Sequence, residues 1–127
     1  MTPRRLAYVI RVFPKLSETF IANELAELRR RGIELRILSL RPPLDELRHS
    51  VVERAKLYEC TTYDRHEFTR VLQDFKPDMM HAHFATRATA AAQKLASELK
   101  LPFTFTAHRY DIYDKPPADF ARRADAA

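Results

Sequence analysis

Residues 6–40 read LAYVIRV-FPKL-SETFIANELAELRRRG-IELRILSL, two apolar runs that flank a segment of helical periodicity. The first run is short and continuously apolar, which is typical of a strand buried on both faces of a sheet. The second, residues 33–40, also predicts a strand. Between them we predict a helix with Ser17 as its N-cap and Gly32, the only glycine, just after its end. The segment is therefore a β-α-β unit.

The alternation of strand and helix continues to the end of the chain. The helix predictions rest on apolar residues at a spacing of three and four, and the strand predictions on short apolar runs. Residues 41–55 predict a loop with a short helix. The further predicted strands are residues 56–60, 79–84 and 102–107, and the further predicted helices are residues 68–75, 88–99 and 118–126.

Strands that alternate with helices predict an α/β fold with right-handed crossovers. We expect a Rossmann-like parallel sheet in the order 3-2-1-4-5, with helices on both faces. Such a sheet binds ligands outside the carboxyl ends of its strands, at the point where the strand order reverses. Here the reversal lies between strands 1 and 4, so a site is expected among residues 13–18, 83–87 and 108–111.

Composition limits the classes of partner. The 127 residues have room for one domain, and a net charge of +5 allows an anionic partner. The basic residues are scattered, except for a cluster at residues 29–31 that either offsets the dipole at a helix end or contacts a membrane. They are not interleaved with aromatic residues, which disfavours nucleic acid. With Cys60 as the only cysteine and no secretory signal expected, a cytoplasmic location is predicted, without an internal disulfide.

The loop after the first strand leads into a helix N-terminus, and Lys15 lies beside it. The unpaired N–H groups of the helix and the cation suit a phosphate, but an ordinary βα turn with a solvated lysine is an equally good interpretation. It contains no glycine, which excludes a P-loop and a dinucleotide fingerprint. A phosphoacceptor receiver domain is also excluded, because Val12, Phe13 and Pro14 stand where its first-strand carboxylates would be. Cys60 is expected to be a small buried hydrophobic residue rather than a nucleophile.

His81 and His83 should point to the same side of their strand, since strand side chains alternate. Together with His108 and Asp111 they have the chemistry to bind zinc or iron. The alternative is that they are histidines hydrogen-bonded at strand ends. We favour this second interpretation and predict no metal.

Three segments together resemble the N-terminal half of family 4 glycosyltransferases, especially those that assemble exopolysaccharides such as colanic acid. They are FPKLSETFI at residues 13–21, HAHF at 81–84 and FTAHRYDIY at 105–113, at the ends of predicted strands 1, 4 and 5. The resemblance extends over nearly the whole chain. Arg109 departs from it, because the family usually has a small residue there.

The resemblance implies a GT-B fold and a retaining hexosyl transfer from a nucleoside-diphosphate sugar to a polysaccharide or lipid-linked glycan, without a cofactor. It implies that the turn at residues 15–18 faces the donor phosphates and the acceptor, and that His108 reaches the transferred sugar. His108 is the implied catalytic residue, and the implied substrate-binding residues are Lys15, Ser17, Glu18, His83, Arg87 and Asp111.

The resemblance also implies that residues 1–127 are a single acceptor-side domain that lacks the nucleotide-sugar domain and is inactive alone. The outer edge of the fifth strand, with Phe103 and Phe105, would lose its cover, so we expect self-association. A lipid-linked acceptor would bring the domain to the inner face of the membrane. The alternative is a non-enzymatic module that binds a sugar, a lipid phosphate or a protein.

Overall fold

A computed structural model describes residues 4–43, 50–83 and 87–106. Its five strands form one sheet in the order β3-β2-β1-β4-β5, and every neighbouring pair is parallel. The predicted fold class and strand order are therefore confirmed. The strands are β1 (Arg5–Val12), β2 (Glu34–Arg41), β3 (Thr61–Thr62), β4 (Met79–His83) and β5 (Phe103–Thr106).

Helices cover both faces of the sheet, as predicted. They are α1 (Thr19–Arg30), α2 (Ser50–Arg54), α3 (Phe68–Phe75) and α4 (Arg87–Leu99). The side chains of β1 alternate between two cores: Tyr8 and Ile10 pack with α1 and α2, whereas Ala7 and Val9 pack with α3 and α4. Three alanines of α4 are buried against the sheet, where small side chains allow close approach: Ala88, Ala92 and Ala96. Burial on both faces explains the continuous apolar run of the first strand.

The start of the first helix differs from the prediction. Ser17 is not an N-cap, because it lies inside a 3-10 turn (Leu16–Glu18) that precedes α1. The Glu18 N–H donates to the Lys15 carbonyl at 2.9 Å, so a backbone bond closes this turn. Among the described residues, neither Lys15 nor Glu18, which cap the turn and the helix, makes a side-chain capping bond.

The end of this helix is as predicted. Gly32 has φ +87°, in the left-handed region that glycine occupies without strain. Its N–H donates to the Arg29 carbonyl at 3.0 Å, and the Ile33 N–H donates to the Leu28 carbonyl at 3.1 Å. These two bonds make a Schellman motif, which satisfies carbonyls at the helix end and directs the chain into β2.

The third strand was placed wrongly. Residues 57–60 form a 3-10 turn (Leu57–Cys60), and β3 contains only the next two residues. Leu57 and Cys60 are both buried in the core beside α1. They are three residues apart in the chain, and one 3-10 turn places residues at that spacing on the same side. The burial of Cys60 confirms its interpretation as a hydrophobic residue, and the Arg29 guanidinium contacts its sulfur.

The remaining elements agree with the sequence patterns to within a residue or two at their ends. The short helix expected within residues 41–55 is α2. The predicted helix at residues 118–126 lies outside the described part of the chain. Of the helices described, none is long and apolar enough to cross a membrane.

Candidate functional site

The loop that follows β1 is anchored by Ser39, within β2, and by Tyr63, directly after β3. The Phe13 N–H donates to Ser39 Oγ at 3.0 Å, and the Ser39 hydroxyl donates to the Arg41 carbonyl at 2.7 Å. The Tyr63 hydroxyl donates to the Phe13 carbonyl at 2.8 Å, and burial, with a smaller effect from Tyr58, raises the Tyr63 pKa to about 12. Both backbone groups of Phe13 are thus fixed. The Phe13–Pro14 peptide is cis.

Lys15, Ser17 and Glu18 lie in the turn that this anchored loop enters. The Lys15 ammonium is 3.9 Å from the Glu18 carboxylate, and its side chain remains partly exposed at the carboxyl edge of the sheet. Ser17 is exposed. The turn can offer a cation and a hydroxyl to an anionic ligand, although Glu18 offsets part of the Lys15 charge.

His83 lies at the carboxyl end of β4 and is buried, with 3% of its surface exposed. Its Nε2 is 2.8 Å from Glu24 Oε2, and the Tyr8 hydroxyl donates to the same oxygen at 2.7 Å. The three residues come from β4, α1 and β1, so the carboxylate joins the first helix to two central strands. A buried imidazole requires such a partner, because desolvation of a polar group without a hydrogen bond is costly.

Tyr8 and Glu24 were missed in the sequence. One signal was present: a tyrosine inside a run buried on both faces needs a hydrogen-bond partner for its hydroxyl. Nothing along the chain indicated that this partner would be Glu24, a polar residue on the helix that follows.

His81 lies two residues before His83 on the same side of β4, as predicted, and the two rings are 5.2 Å apart. Its Nδ1 and Nε2 are 2.6 Å from Thr104 Oγ1 and 2.9 Å from Thr106 Oγ1. Burial, and secondarily the neighbouring His83, lower the pKa of His81 to about 4, against a smaller opposing effect of Glu24. His81 is therefore a neutral, hydrogen-bonded histidine at pH 7.

The carboxylate of Glu24 is held in its ionised form. Burial alone would raise the pKa of Glu24, but the hydrogen bonds from His83 and Tyr8 together outweigh it and lower the pKa. Burial, followed by the bond to Glu24, raises the pKa of Tyr8 far above its ordinary value. Near neutral pH Tyr8 consequently keeps its proton and is a hydrogen-bond donor, and Glu24 is a hydrogen-bond acceptor.

An exposed aromatic ring lies beside His83. Phe20, in the first turn of α1, is 46% exposed, and its ring centroid lies 6.1 Å from that of His83 in an edge-to-face arrangement. This contact brings the turn with Lys15 and Glu18 to the end of β4. Arg87, the first residue of α4, is exposed and follows β4 along the chain.

The structure thus brings together part of the predicted site. Lys15, Glu18 and His83 lie around the start of α1, at the reversal of strand order between β1 and β4. The predicted residues His108 and Asp111 lie outside the described residues, as does Phe84. Among residues 4–43, 50–83 and 87–106, no group of three or more histidine, cysteine or carboxylate side chains is arranged to hold a metal.

Comparison with solved structures shows the same fold in two UDP-GlcNAc 2-epimerases. The enzyme from Methanocaldococcus jannaschii matches 97% of this chain with a TM-score of 0.57 and 15% identity. The enzyme from Neisseria meningitidis, solved with UDP-GlcNAc, matches 94% with a TM-score of 0.55 and 22% identity. The chain spans 37% of the length of each.

Comparison with curated protein sequences found no matching relative. The family model described as Glycosyltransferase Family 4 matches residues 17–126, which is most of the chain and includes α1, the His81–His83 strand and the segment after β5. The chain belongs to glycosyltransferase family 4.

Proposed function

We propose that this chain is the acceptor-side, N-terminal domain of a retaining glycosyltransferase of the hexosyltransferase type. The donor is a nucleoside-diphosphate sugar, and the acceptor is a polysaccharide or a lipid-linked glycan of an exopolysaccharide such as colanic acid. Residues 1–127 form one domain, and most of the nucleotide is held by a second domain of the complete enzyme. The 127 residues alone do not turn over.

This proposal rests on the position of Lys15 and Glu18, after β1, and of His83, at the end of β4, on either side of the reversal of strand order in a chain of family 4. Ligands of parallel α/β sheets bind at that place. A cation and a helix N-terminus there suit the charge that develops on a leaving diphosphate. The Neisseria epimerase, which shares the fold, was solved with UDP-GlcNAc, and this makes a nucleotide sugar the first ligand to test.

The site residues take separate roles in this proposal. The turn with Lys15, Ser17 and Glu18 faces the donor phosphates and the acceptor, and His83 contributes to substrate binding. Arg87 and Asp111 contact the substrates at the ends of strands 4 and 5, and His108 is the catalytic residue beside the transferred sugar. A lipid-linked acceptor places the domain at the inner face of the cytoplasmic membrane, where the net charge of +5 favours anionic lipid.

The test is a transfer assay with the complete enzyme and a panel of nucleotide sugars, with the anomeric configuration of the product read by NMR. We expect transfer with retention. Lys15→Ala should lower kcat/KM about tenfold to a hundredfold, as expected for one charge-assisted contact. The matched control is Lys94→Ala, which removes an exposed lysine from α4 and should leave kcat/KM unchanged. Transfer unaffected by Lys15→Ala would contradict the phosphate role.

The 127-residue chain gives a second test through calorimetric titration with the same nucleotide sugars. In this proposal a second domain holds most of the nucleotide, so for residues 1–127 by themselves we expect millimolar or undetectable binding, about 4 kcal/mol or less. Micromolar affinity would show that the chain holds the nucleotide itself. If the complete enzyme transfers no sugar from any donor, a non-enzymatic binding module becomes the better interpretation.

A further inference from the structure

A cavity of about 730 Å³ lies at the amino edge of the sheet, between the C-terminal ends of α1 and α3. Its wall includes the first residues of β1 and β2, Arg5 and Glu34, and also Gly32, just beyond α1. The candidate functional site is at the carboxyl ends of the same parallel strands, and therefore at the opposite edge of the sheet. Small-molecule sites have volumes of roughly 300–1,000 Å³. The cavity is large enough for a ligand other than the sugar substrates.

The wall of this cavity carries three arginines and two carboxylates: Arg5, Arg29, Arg36, Glu34 and Asp74. Both carboxylates already have a partner. Arg5 Nε is 2.9 Å from Glu34 Oε2, and Arg70 Nη1 is 3.7 Å from Asp74 Oδ2. In the part of the chain that the structure describes, Arg29 and Arg36 form no ion pair with a carboxylate. Two guanidinium charges therefore face the cavity without a counter-charge.

The Arg36 guanidinium is held in one plane before any ligand binds. Its Cζ lies 4.4 Å from the centroid of the buried Phe75 ring, and its Nη1 donates to the Leu35 carbonyl at 2.8 Å. A guanidinium has five N–H donors, so this bond uses one of them and the stacking uses none. Within the described residues, Arg29 likewise makes one side-chain hydrogen bond, from Nη1 to the Cys60 sulfur. Both arginines thus have donors left for a ligand, and that of Arg36 is already oriented, which lowers the entropic cost of binding.

A structural role accounts for part of this arrangement. The C-terminal ends of α1 and α3 carry partial negative charge, which nearby cations offset. Arg5 has this role, because its Nη1 donates to the Phe75 carbonyl at 3.1 Å. Arg36 is different: it lies within β2 rather than at a helix end, and an apolar side chain would cover the Phe75 ring as well. The charge of Arg36 is therefore not explained by packing or by the helix dipoles.

We propose that this cavity binds a phosphate ester, with its phosphate group on Arg29 and Arg36. A phosphate monoester carries a charge of about −1.5 to −2 at pH 7, which matches two unpaired guanidinium groups. Arginine suits such a group because its planar fork donates two parallel hydrogen bonds. The partly buried Ile33 and Val71 on the same wall contact the organic part of the ester. This is a second site, and it does not depend on the proposed function.

The first test is a titration of the 127-residue chain with glycerol 3-phosphate, followed by ¹H–¹⁵N NMR. This probe carries the phosphate ester that a soluble metabolite and the headgroup of an anionic lipid have in common. We expect saturable shifts of the backbone N–H groups of Gly32 and Ile33 and of the Arg36 Nε–H. Absence of shifts, or shifts confined to the turn at residues 15–18, would overturn the proposal, and neither result depends on the folding of a variant.

The second test uses variants whose folding is verified by circular dichroism. Arg29→Ala and Arg36→Ala should each weaken the binding of glycerol 3-phosphate about tenfold or more, as expected for the loss of a charged hydrogen-bond donor. Arg30→Ala is the matched control, because Arg30 is on the same helix as Arg29, is exposed and pairs with Glu27 outside the cavity. It should bind like the unsubstituted chain. Unchanged affinity in either Arg29→Ala or Arg36→Ala would overturn the proposal.

The source of the ester is distinguished by cosedimentation with phosphatidylcholine vesicles prepared with and without phosphatidic acid. Binding that requires phosphatidic acid and is lost in Arg36→Ala assigns the site to a lipid headgroup. Vesicle binding that is absent, or unchanged in Arg36→Ala, assigns the site to a soluble ester. Sugar transfer enters none of these measurements, so failure of this proposal and failure of the proposed function are distinguishable.

Discussion

Replacement of Ser39 by alanine tests how the candidate site is held in place. Ser39 is fully buried in β2, accepts from the Phe13 N–H at 3.0 Å and donates to the Arg41 carbonyl at 2.7 Å. Alanine removes one oxygen atom and creates no sizeable cavity, so the cost comes from the two groups that lose a partner. The Arg41 carbonyl is at the exposed end of its strand and can be hydrated, whereas the Phe13 N–H cannot readily be reached by water.

An unsatisfied buried donor costs about 1–3 kcal/mol. We therefore expect Ser39→Ala to lower the free energy of unfolding by about 2 kcal/mol. For a chain of this length that corresponds to a fall in Tm of roughly 6 to 10 °C. Urea denaturation followed by circular dichroism measures the first quantity, and calorimetry the second.

The control is Ser17→Ala. If Ser17 capped the first helix, as its position in the sequence indicated, its loss would cost about 1 kcal/mol. In the structure it is exposed within a 3-10 turn, and we expect a change below about 0.5 kcal/mol. The reasoning is refuted if Ser39→Ala has the stability of the unsubstituted chain, or if Ser17→Ala is the more damaging of the two.

Three further outcomes are expected. Gly32→Ala should lower the free energy of unfolding, measured by urea denaturation, by about 1 kcal/mol, because a φ of +87° is strained for alanine. The added Cβ meets no atom within 4 Å, so the cost comes from the backbone alone, and unchanged stability would contradict this. His81 has a pKa of about 4 in the folded chain against 6.5 for an ordinary histidine, so only the unfolded chain takes up its proton between these values. Stability should therefore fall by about 2 kcal/mol as the pH drops from 6.5 towards 4, and His81→Gln should flatten this dependence, as denaturation at several pH values would reveal. Finally, the 127-residue chain should self-associate through the backbone edge of β5; the side chain of Phe103 is buried in the core and does not supply this contact, contrary to the expectation from the sequence, and sedimentation showing a stable monomer at high concentration would reject the prediction.

The elements whose identity depends on near neighbours in the chain could be predicted from the sequence. The run of β1, the apolar face of α1 and the stripe of α4 each repeat with the period of their own secondary structure. Gly32 marked a helix end because its conformational freedom belongs to the residue itself. With strands and helices alternating, the handedness of crossovers then left the order 3-2-1-4-5 as the natural arrangement.

Local pattern was insufficient where two conformations bury the same residues. Leu57 and Cys60 could have belonged to a strand or to a turn, and the packing of both into one core decided for the 3-10 turn. Ser17 was a good capping residue by type, but the backbone bond from Glu18 to Lys15 satisfied the turn without it. In both cases a tertiary or backbone contact overrode a preference of the side chain.

The candidate site shows the same division. From the sequence came Lys15, Glu18 and His83, because they stand at predicted strand ends and helix starts. Only the tertiary structure could add Glu24 and Tyr8. The bonds of Glu24 to Tyr8 and to His83 join residues 16 and 59 positions apart in the chain, and that of Phe13 to Ser39 joins residues 26 apart. Side-chain periodicity depends on residues close together in the chain, so it indicates which face of a strand or helix a residue occupies. Which partner the residue contacts there depends on how the strands and helices pack together.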